Sequence, residues 1–445
     1  MGGAAFATAA APGAPTLRTP RLSPADYTRL RSTLKTTLQA FFGSSTELDT
    51  LRPAPEKPDH GDIDFLVAHD DPTAVDWLAL ATAIGAAGLI VHHAAMCSLA
   101  VPLHPHPTDG SPGPRPPVLY KQIASHQPSP LPYHAAAGQL TKEIYAHVDI
   151  ELAPPALYAW RAFHGSYGDT GSLLGRILRP LRFTITHAGL YLRMRELDEV
   201  VKKAPQLYPI ADKAGLLFLS CDPGEILRFL GLATEGYEAG FTTLEALYEW
   251  VAGCRVLSLG SVRVKRDTDS ERAREATRTV YAGFFNHWLP AHPPPNPPAP
   301  ASSDADPDAT RQQLAEEALE FFDRRAEYAI QHAALLRAIA TATALRLIKD
   351  FIQQHSGRKG AALNEVVRGF QHFVGVSGEG GMVVRREAHG SEESELYKLL
   401  GEGGEGFRDE VGVGEFVKGV WEEVKTMERR RAETARAEVP AVGGT

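Results

Sequence analysis

The sequence predicts an α+β protein: a small mixed β-sheet with flanking helices, followed by a helical C-terminal region. Three observations predict it. Ile63-Asp64-Phe65-Leu66-Val67 and Val148-Asp149-Ile150-Glu151-Leu152 set acids between apolar residues at alternate positions, the pattern of strands with one buried face. Shorter apolar runs at Leu89-Ile90-Val91 and Ser98-Leu99-Ala100-Val101 add two more strands. Beyond a Pro/Ala/Ser-rich stretch at 292–307, the apolar spacing becomes helical and stays so.

In chain order, Ser23-Pro24-Ala25-Asp26 starts a helix with a cap, a first-position proline and a closing acid. Tyr27, Leu30, Leu34, Leu38 and Phe41 recur at helical spacing and lead into Phe42-Gly43-Ser44-Ser45. A Pro-rich loop, Glu47 to Pro58, precedes the first acidic strand. Thr73 to Ala87 reads as a helix. His92, His93, His104 and His106 lie around a Pro/Gly loop with no ordered scaffold for a metal. The second acidic strand falls within Lys142 to Ala153, and an aromatic stretch (Trp160, Phe163, His164, Tyr167) leads to a helix opening at Gly168. Arg182 to Arg193 reads as a hairpin and Leu216 to Ser220 as a strand; Asp222-Pro223-Gly224-Glu225 and Thr242 to Glu245 cap helices. Arg263, Lys265, Arg266, Arg272, Arg274 and Arg278 read as a solvated helix face. Gly401 to Gly406 lacks the preceding strand and the Lys-Ser/Thr ending of a phosphate loop, and its acids repel phosphate.

The resulting organisation is a disordered tail over 1–22, a core over 23–155, an α/β extension over 156–290, a Pro-rich linker over 291–310, a helical region over 311–430 with a Gly/Glu-rich flexible insert at 375–406, and a disordered tail over 431–445. Its 445 residues leave room for two or three domains. Net charge of −8 argues against a strongly basic nucleic-acid footprint, though a local basic groove fits on an acidic protein. Cys97, Cys221 and Cys254 are too far apart for a zinc cluster of usual spacing and suit a reducing compartment. With no apolar run of roughly 20 residues, the expected location is intracellular, cytoplasmic or nuclear, with no membrane partner.

The chemistry centres on Asp62 and Asp64. Alternation puts both on one face of a strand, where they repel each other. A hard divalent cation, Mg2+ or Mn2+, is the natural compensation. The acidic strands and the Phe42-Gly43-Ser44 turn together resemble the DNA polymerase β-like nucleotidyltransferase superfamily. Its pattern is a hydrophobic-Gly-Ser turn, a hydrophobic-flanked Asp-x-Asp and a third acid on a later strand. The resemblance implies a small palm-like sheet and two metal ions held by Asp62, Asp64 and Asp149. It also implies an NTP whose phosphates meet Gly43, Ser44 and Ser45, and an acceptor that is an RNA, a protein or a small molecule. One departure is the long, proline-bearing stretch 45–61 between turn and acids. Lys57-Pro58-Asp59-His60-Gly61-Asp62-Ile63-Asp64 and Asp222-Pro223-Gly224-Glu225-Ile226-Leu227 also resemble blocks in a set of fungal proteins. Two rival readings stand: an inactive fold of this type serving as a scaffold, and a metal-dependent phosphohydrolase using His60 with Asp62 and Asp64.

Overall fold

The computed structural model describes residues 5–6, 16–104, 117–122, 143–197, 215–257, 269–292, 307–378, 380–390, 394–401 and 406–437. His106, Arg263, Lys265 and Arg266, and most of the expected 291–310 linker, lie outside them.

Helix α1 spans Pro24–Phe42, and the Asp26 N–H donates to the capping Ser23 Oγ at 3.1 Å. Its buried face is Tyr27, Leu30, Leu34 and Leu38. Phe41 falls off that stripe and is exposed, while Phe42, four residues on from Leu38, packs against the core. Strands β1 (Leu48–Thr50), β2 (Ile63–Ala68), β3 (Gly88–His93), β4 (Met96–Pro102), β5 (Val118–Gln122) and β6 (Tyr145–Ala153) form one sheet. Its order is β1-β2-β6-β4-β3-β5. β2 and β6 run parallel, whereas β1 against β2 and β4 against β6 are antiparallel. The expected helix between β2 and β3 is shorter than its pattern: a 3-10 turn, Pro72–Ala74, precedes α2, Trp77–Ile84. The Asp76 carboxylate caps α2 by accepting from the N–H groups of Leu78 and Ala79, which fixes the start of the helix.

The sheet divides its residues by face. Ile63, Phe65 and Val67 of β2 pair with Val148, Ile150 and Leu152 of β6. All six are buried in one cluster with Leu30, Leu34 and Leu38 of α1 and Trp77 and Leu80 of α2. Burying such side chains contributes about 1.5–3 kcal/mol each, and this commits the alternate residues of both strands to the other face.

That other face is met by α3, Pro155–Leu178. It is a single helix where the aromatic stretch and a later helix start were expected. The signal for a start at Gly168 has a physical basis, because Tyr167 and Gly168 have φ of +58° and +75°. The Tyr167 N–H donates to the Arg52 carbonyl at 2.6 Å. A Cβ on Gly168 would approach Val280 to 2.9 Å, so glycine is required there for space as well as for conformation.

The tail expected over 1–22 is corrected by its described residues. Phe6, Leu17 and Leu22 are buried, and Arg18 and Leu22 form bridges with Ile144 and His60. Backbone groups at the start of β6 and in the acidic turn need partners, and this segment supplies them. Further along, β7 (Phe183–Thr186), β8 (Gly189–Arg193) and β9 (Leu216–Ser220) form the expected strands. A helix capped by Asp222 follows over Pro223–Leu230, and another over Leu244–Ala252 is capped by Thr243 rather than Thr242.

The chain divides into two compact units, Met1–Tyr191 with Phe218–Phe322, and Leu192–Leu217 with Asp323–Thr445. The division at 322/323 lies beyond the Pro-rich stretch because the helix Pro307–Phe321 is tied to the first unit. There the Arg311 Nε donates to the Pro180 carbonyl, and Phe229 meets Phe321 and Phe322. The second unit packs the helices Arg325–Ser356, Gly360–Phe373 and Glu410–Ala437 around Ile348, Ile352, Val366, Phe370 and Val417. Within the expected 375–406 insert the described residues include part of a hairpin, β10 (Val374–Val376) with β11 (Met382–Val384), and buried Leu396, Leu399 and Leu400. The last helix continues to Ala437, past the expected end of order at 430. Among the described residues no helix is long and apolar enough to cross a membrane, and all three cysteines are free thiols.

Candidate metal centre

The register of the sheet assembles the acids. Asp64 pairs with Asp149 across the parallel β2–β6 ladder, and Ser98 of β4 pairs with Asp149 on its other side. Paired residues in a ladder share a face. Asp62, Asp64, His147, Asp149 and Ser98 therefore lie on the side of the sheet opposite the α1–α2 core. Single ligand atoms of Asp62, His147 and Asp149 all lie within 4.8 Å of one another.

Each donor is held differently. The Ser98 hydroxyl donates to Asp149 Oδ1 at 2.5 Å, and His92 Nε2 lies 2.8 Å from the same hydroxyl oxygen. His147 Nε2 stands 3.0 Å from Asp149 Oδ1, and its side chain is almost wholly buried. The Phe6 ring meets the His147 ring edge-on, with centroids 5.7 Å apart. Burial opposes ionisation of Asp149, but His147 and the Ser98 hydroxyl outweigh it and hold the carboxyl below its ordinary range. His147 is shifted up for the reciprocal reason: burial lowers its pKa, and Asp149, Asp62 and Asp64 more than offset that.

Asp64 is the exception. Burial first, then the charges of Asp62 and Asp149, push its carboxyl up to about 7. The exposed Lys57 and then His147 pull the other way, more weakly. Among the described residues, no hydrogen bond reaches the Asp64 carboxylate. A shielded carboxylate with no hydrogen-bond donor and only weak counter-charge is costly, and a divalent cation shared with Asp62 and Asp149 would remove that cost. The donor set, carboxylate oxygens with one imidazole, fits such an ion.

The expected phosphate turn is not part of this assembly. In the antiparallel β1–β2 pair, Leu48 faces Val67 and Thr50 faces Phe65, and the Ala68 N–H donates to the Glu47 carbonyl. Gly43, Ser44 and Ser45 thus lie beyond the Ala68 end of β2. Four residues separate Ala68 from Asp64, about 13 Å of strand. Gly43, at φ +104°, closes α1 with its N–H on the Gln39 carbonyl. The segment that does reach the acid end of β2 is Leu51-Arg52. Its amides are taken: Leu51 N–H donates to the Asp64 carbonyl and Arg52 N–H to Ser166 Oγ.

His60, the phosphohydrolase candidate, stacks on Tyr27 with ring centroids 3.8 Å apart and is not among the clustered donors. His92 and His93 have separate partners: His92 meets Ser98, and His93 Nδ1 accepts from the Ala95 N–H. Glu151 binds Arg161 at 2.8 Å. His164 is half-buried in α3, and burial, followed by the charges of His187 and Arg278, pushes its pKa down to about 4. Ser166 and Tyr167 are engaged with Arg52. The residue that the sequence reading passed over is His147. It stands two positions before Asp149 in the same strand, and alternation alone places it on the acid face.

Fold and site define an α+β sheet protein with a carboxylate–imidazole cluster suited to a divalent ion. No protein-family model matches the chain, and no curated protein does. Among solved structures, one of Leishmania infantum polymerase beta in a ternary gap complex is similar to part of it, with 9% identity and a TM-score of 0.27. The similarity covers 41% of this chain and 56% of that one. At that level it bears on no residue's role.

Proposed function

We propose that the chain is a metal-dependent nucleotidyltransferase that moves a nucleoside monophosphate from an NTP to a hydroxyl acceptor and releases pyrophosphate. The observation that carries this reading is the pairing of Asp64 with Asp149 across adjacent parallel strands, with Asp62 on the same face and no protein cation bonded to Asp64. Asp62, Asp64 and Asp149 would hold Mg2+ or Mn2+. Bound there, such ions would acidify an acceptor hydroxyl and offset the charge of the departing phosphates. The new bond joins the acceptor oxygen to the α-phosphorus, and the bond to the pyrophosphate oxygen breaks. The chain's own contribution is position and charge. Ser98 and His147 fix the Asp149 carboxylate and keep it ionised, ready to hold a cation on the acceptor side. The apolar α1–α2 side locks β2 and β6 in register and so keeps the acids together. The acceptor is a hydroxyl of an RNA, a protein or a small molecule.

The test is titration of purified protein with each NTP, with and without Mg2+ or Mn2+, on the parent and on Asp62→Ala/Asp64→Ala. Metal-dependent binding that the double substitution removes supports the reading, and pyrophosphate as product separates transfer from hydrolysis. One observation favours a second reading, an inactive fold kept for interactions. The amides nearest the acids, those of Leu51 and Arg52, are already bonded within the protein. Absence of NTP binding in the presence of metal supports that alternative.

A further inference from the structure

We infer that His147 is a metal ligand and makes the centre selective for a divalent transition ion, such as Mn2+, over Mg2+. This rests on the metal-binding part of the proposed function and not on nucleotide transfer.

Three observations carry it. His147 occupies the acid face one alternation before Asp149, and its ring nitrogen belongs to the cluster with Asp62 and Asp149. His147 Nε2 and Asp149 Oδ1 are 3.0 Å apart. A cation taken up by both atoms would replace this contact with two ligand bonds, His147 giving up its proton. Asp64 pairs with Asp149 across the β2–β6 ladder, so a third carboxylate stands on the same face of the sheet.

The selectivity follows from the donor. Mg2+ is a hard ion that takes oxygen ligands and keeps its waters. An imidazole nitrogen favours the later first-row ions over it. The ring and its backbone are also held: Phe6 packs against the ring, and β4 pairs with the His147 backbone at Ala100. The Ser98 hydroxyl, backed by His92, holds the neighbouring Asp149. Such outer contacts keep ligands aimed at the ion.

The experiment uses the full-length, metal-stripped protein with Mn2+ alone as probe. Mn2+ binding is followed by electron paramagnetic resonance, with pulsed detection of coupling to a directly bound 14N, and Mg2+ is added as competitor. The expected result is one 14N coupling in the parent and a preference for Mn2+ on the order of tenfold or more. His147→Gln loses the coupling and most of that preference, while His92→Gln keeps the coupling. The parent measurement needs no variant, so a poorly folding substitution does not remove the test. Bound Mn2+ with no 14N coupling, or equal competition by Mg2+, overturns the inference while leaving an oxygen-ligated site intact. No Mn2+ binding at all overturns it together with the metal centre. Mn2+ binding with the coupling but without NTP binding upholds it and removes only the nucleotidyltransferase reading.

Discussion

Glu428 and Asp64, one in each compact unit, are both acids shielded from water, and they are treated in opposite ways. Glu428, on the last helix, is 1% exposed. His372 Nδ1 lies 2.9 Å from one of its oxygens, and Arg431 donates to both at 2.8 and 3.0 Å. Burial opposes its ionisation, yet the Arg431 and His372 bonds outweigh it, and the carboxyl is held below its ordinary range. Asp64 is buried beside two further acids, has no donor, and is pushed up to about 7. Burial of an acid is thus no sign of function by itself. Where the chain supplies the counter-charge, the acid is structural. Where it does not, the acid waits for one from outside.

The largest expected effect separates the two directly. Asp64→Asn should weaken divalent-ion binding by about 100-fold or more, while the metal-free protein melts no earlier than the parent, because a penalised charge is gone. Glu428→Gln should do the reverse, leaving ion binding unchanged and costing its unit about 2 kcal/mol. Calorimetric ion titration and urea unfolding of both variants check this. An Asp64→Asn protein that binds ions like the parent would erase the distinction.

The pH responses should also have opposite signs. Asp64 keeps its proton in the folded state up to about 7 but loses it near 3.8 when unfolded. Between these values the unfolded state binds fewer protons at Asp64, so the Asp64 contribution to the metal-free first unit falls as pH rises, against the opposite contribution of His164, whose folded pKa is pushed down to about 4. Glu428 has its folded pKa below 4.5. Its contribution is present above the unfolded value and fades as pH falls through the lowered one. Hydrogen exchange in each unit from pH 4 to 8, with and without Mn2+, reads both slopes. Added ion should flatten the first and leave the second alone. Parent and Asp64→Asn slopes that do not differ between pH 5 and 7 without metal would contradict the assignment of Asp64.

A smaller effect is expected at Ser98. Ser98→Ala removes the hydroxyl that fixes Asp149 and should cost about 10- to 100-fold in ion affinity, measurable by the same titration. The smallest is at Ser44, where Ser44→Ala should leave any nucleotide affinity within about twofold of the parent, since some 13 Å of strand separates that end of the sheet from Asp64. A large loss there would restore the turn to the site and shorten the distance on which this account depends.

The acid-bearing strands were legible in the sequence because a period of two is visible in a handful of residues. Their register was not. Nothing local in Ile63 to Val67 or Val148 to Leu152 says that Asp64 meets Asp149, or that Ser98 lies on the other side. His147 was readable by the same alternation that singled out Asp149 and Glu151, but attention to carboxylates passed it by. The Gly43-Ser44 turn shows the opposite failure. Its residue types suited phosphate, yet direction decides its role: β1 runs from that turn toward the acids, so the turn lies at the far end. Residues 16–22 looked like a tail because their few apolar residues carry no period. They are ordered by backbone pairing to Ile144 and His60, contacts of long sequence separation. Glu428 was lost in a run of charges, since its histidine partner stands in another helix.

The most direct measurement is calorimetric titration of Mn2+ into metal-stripped parent and Asp64→Asn protein at pH 8, with thermal melts of both. The account predicts a saturable site in the parent that raises its melting temperature, and neither effect in the variant. No saturable binding by the parent, or equal binding by both, would contradict the claim that the acid face of this sheet is a metal centre.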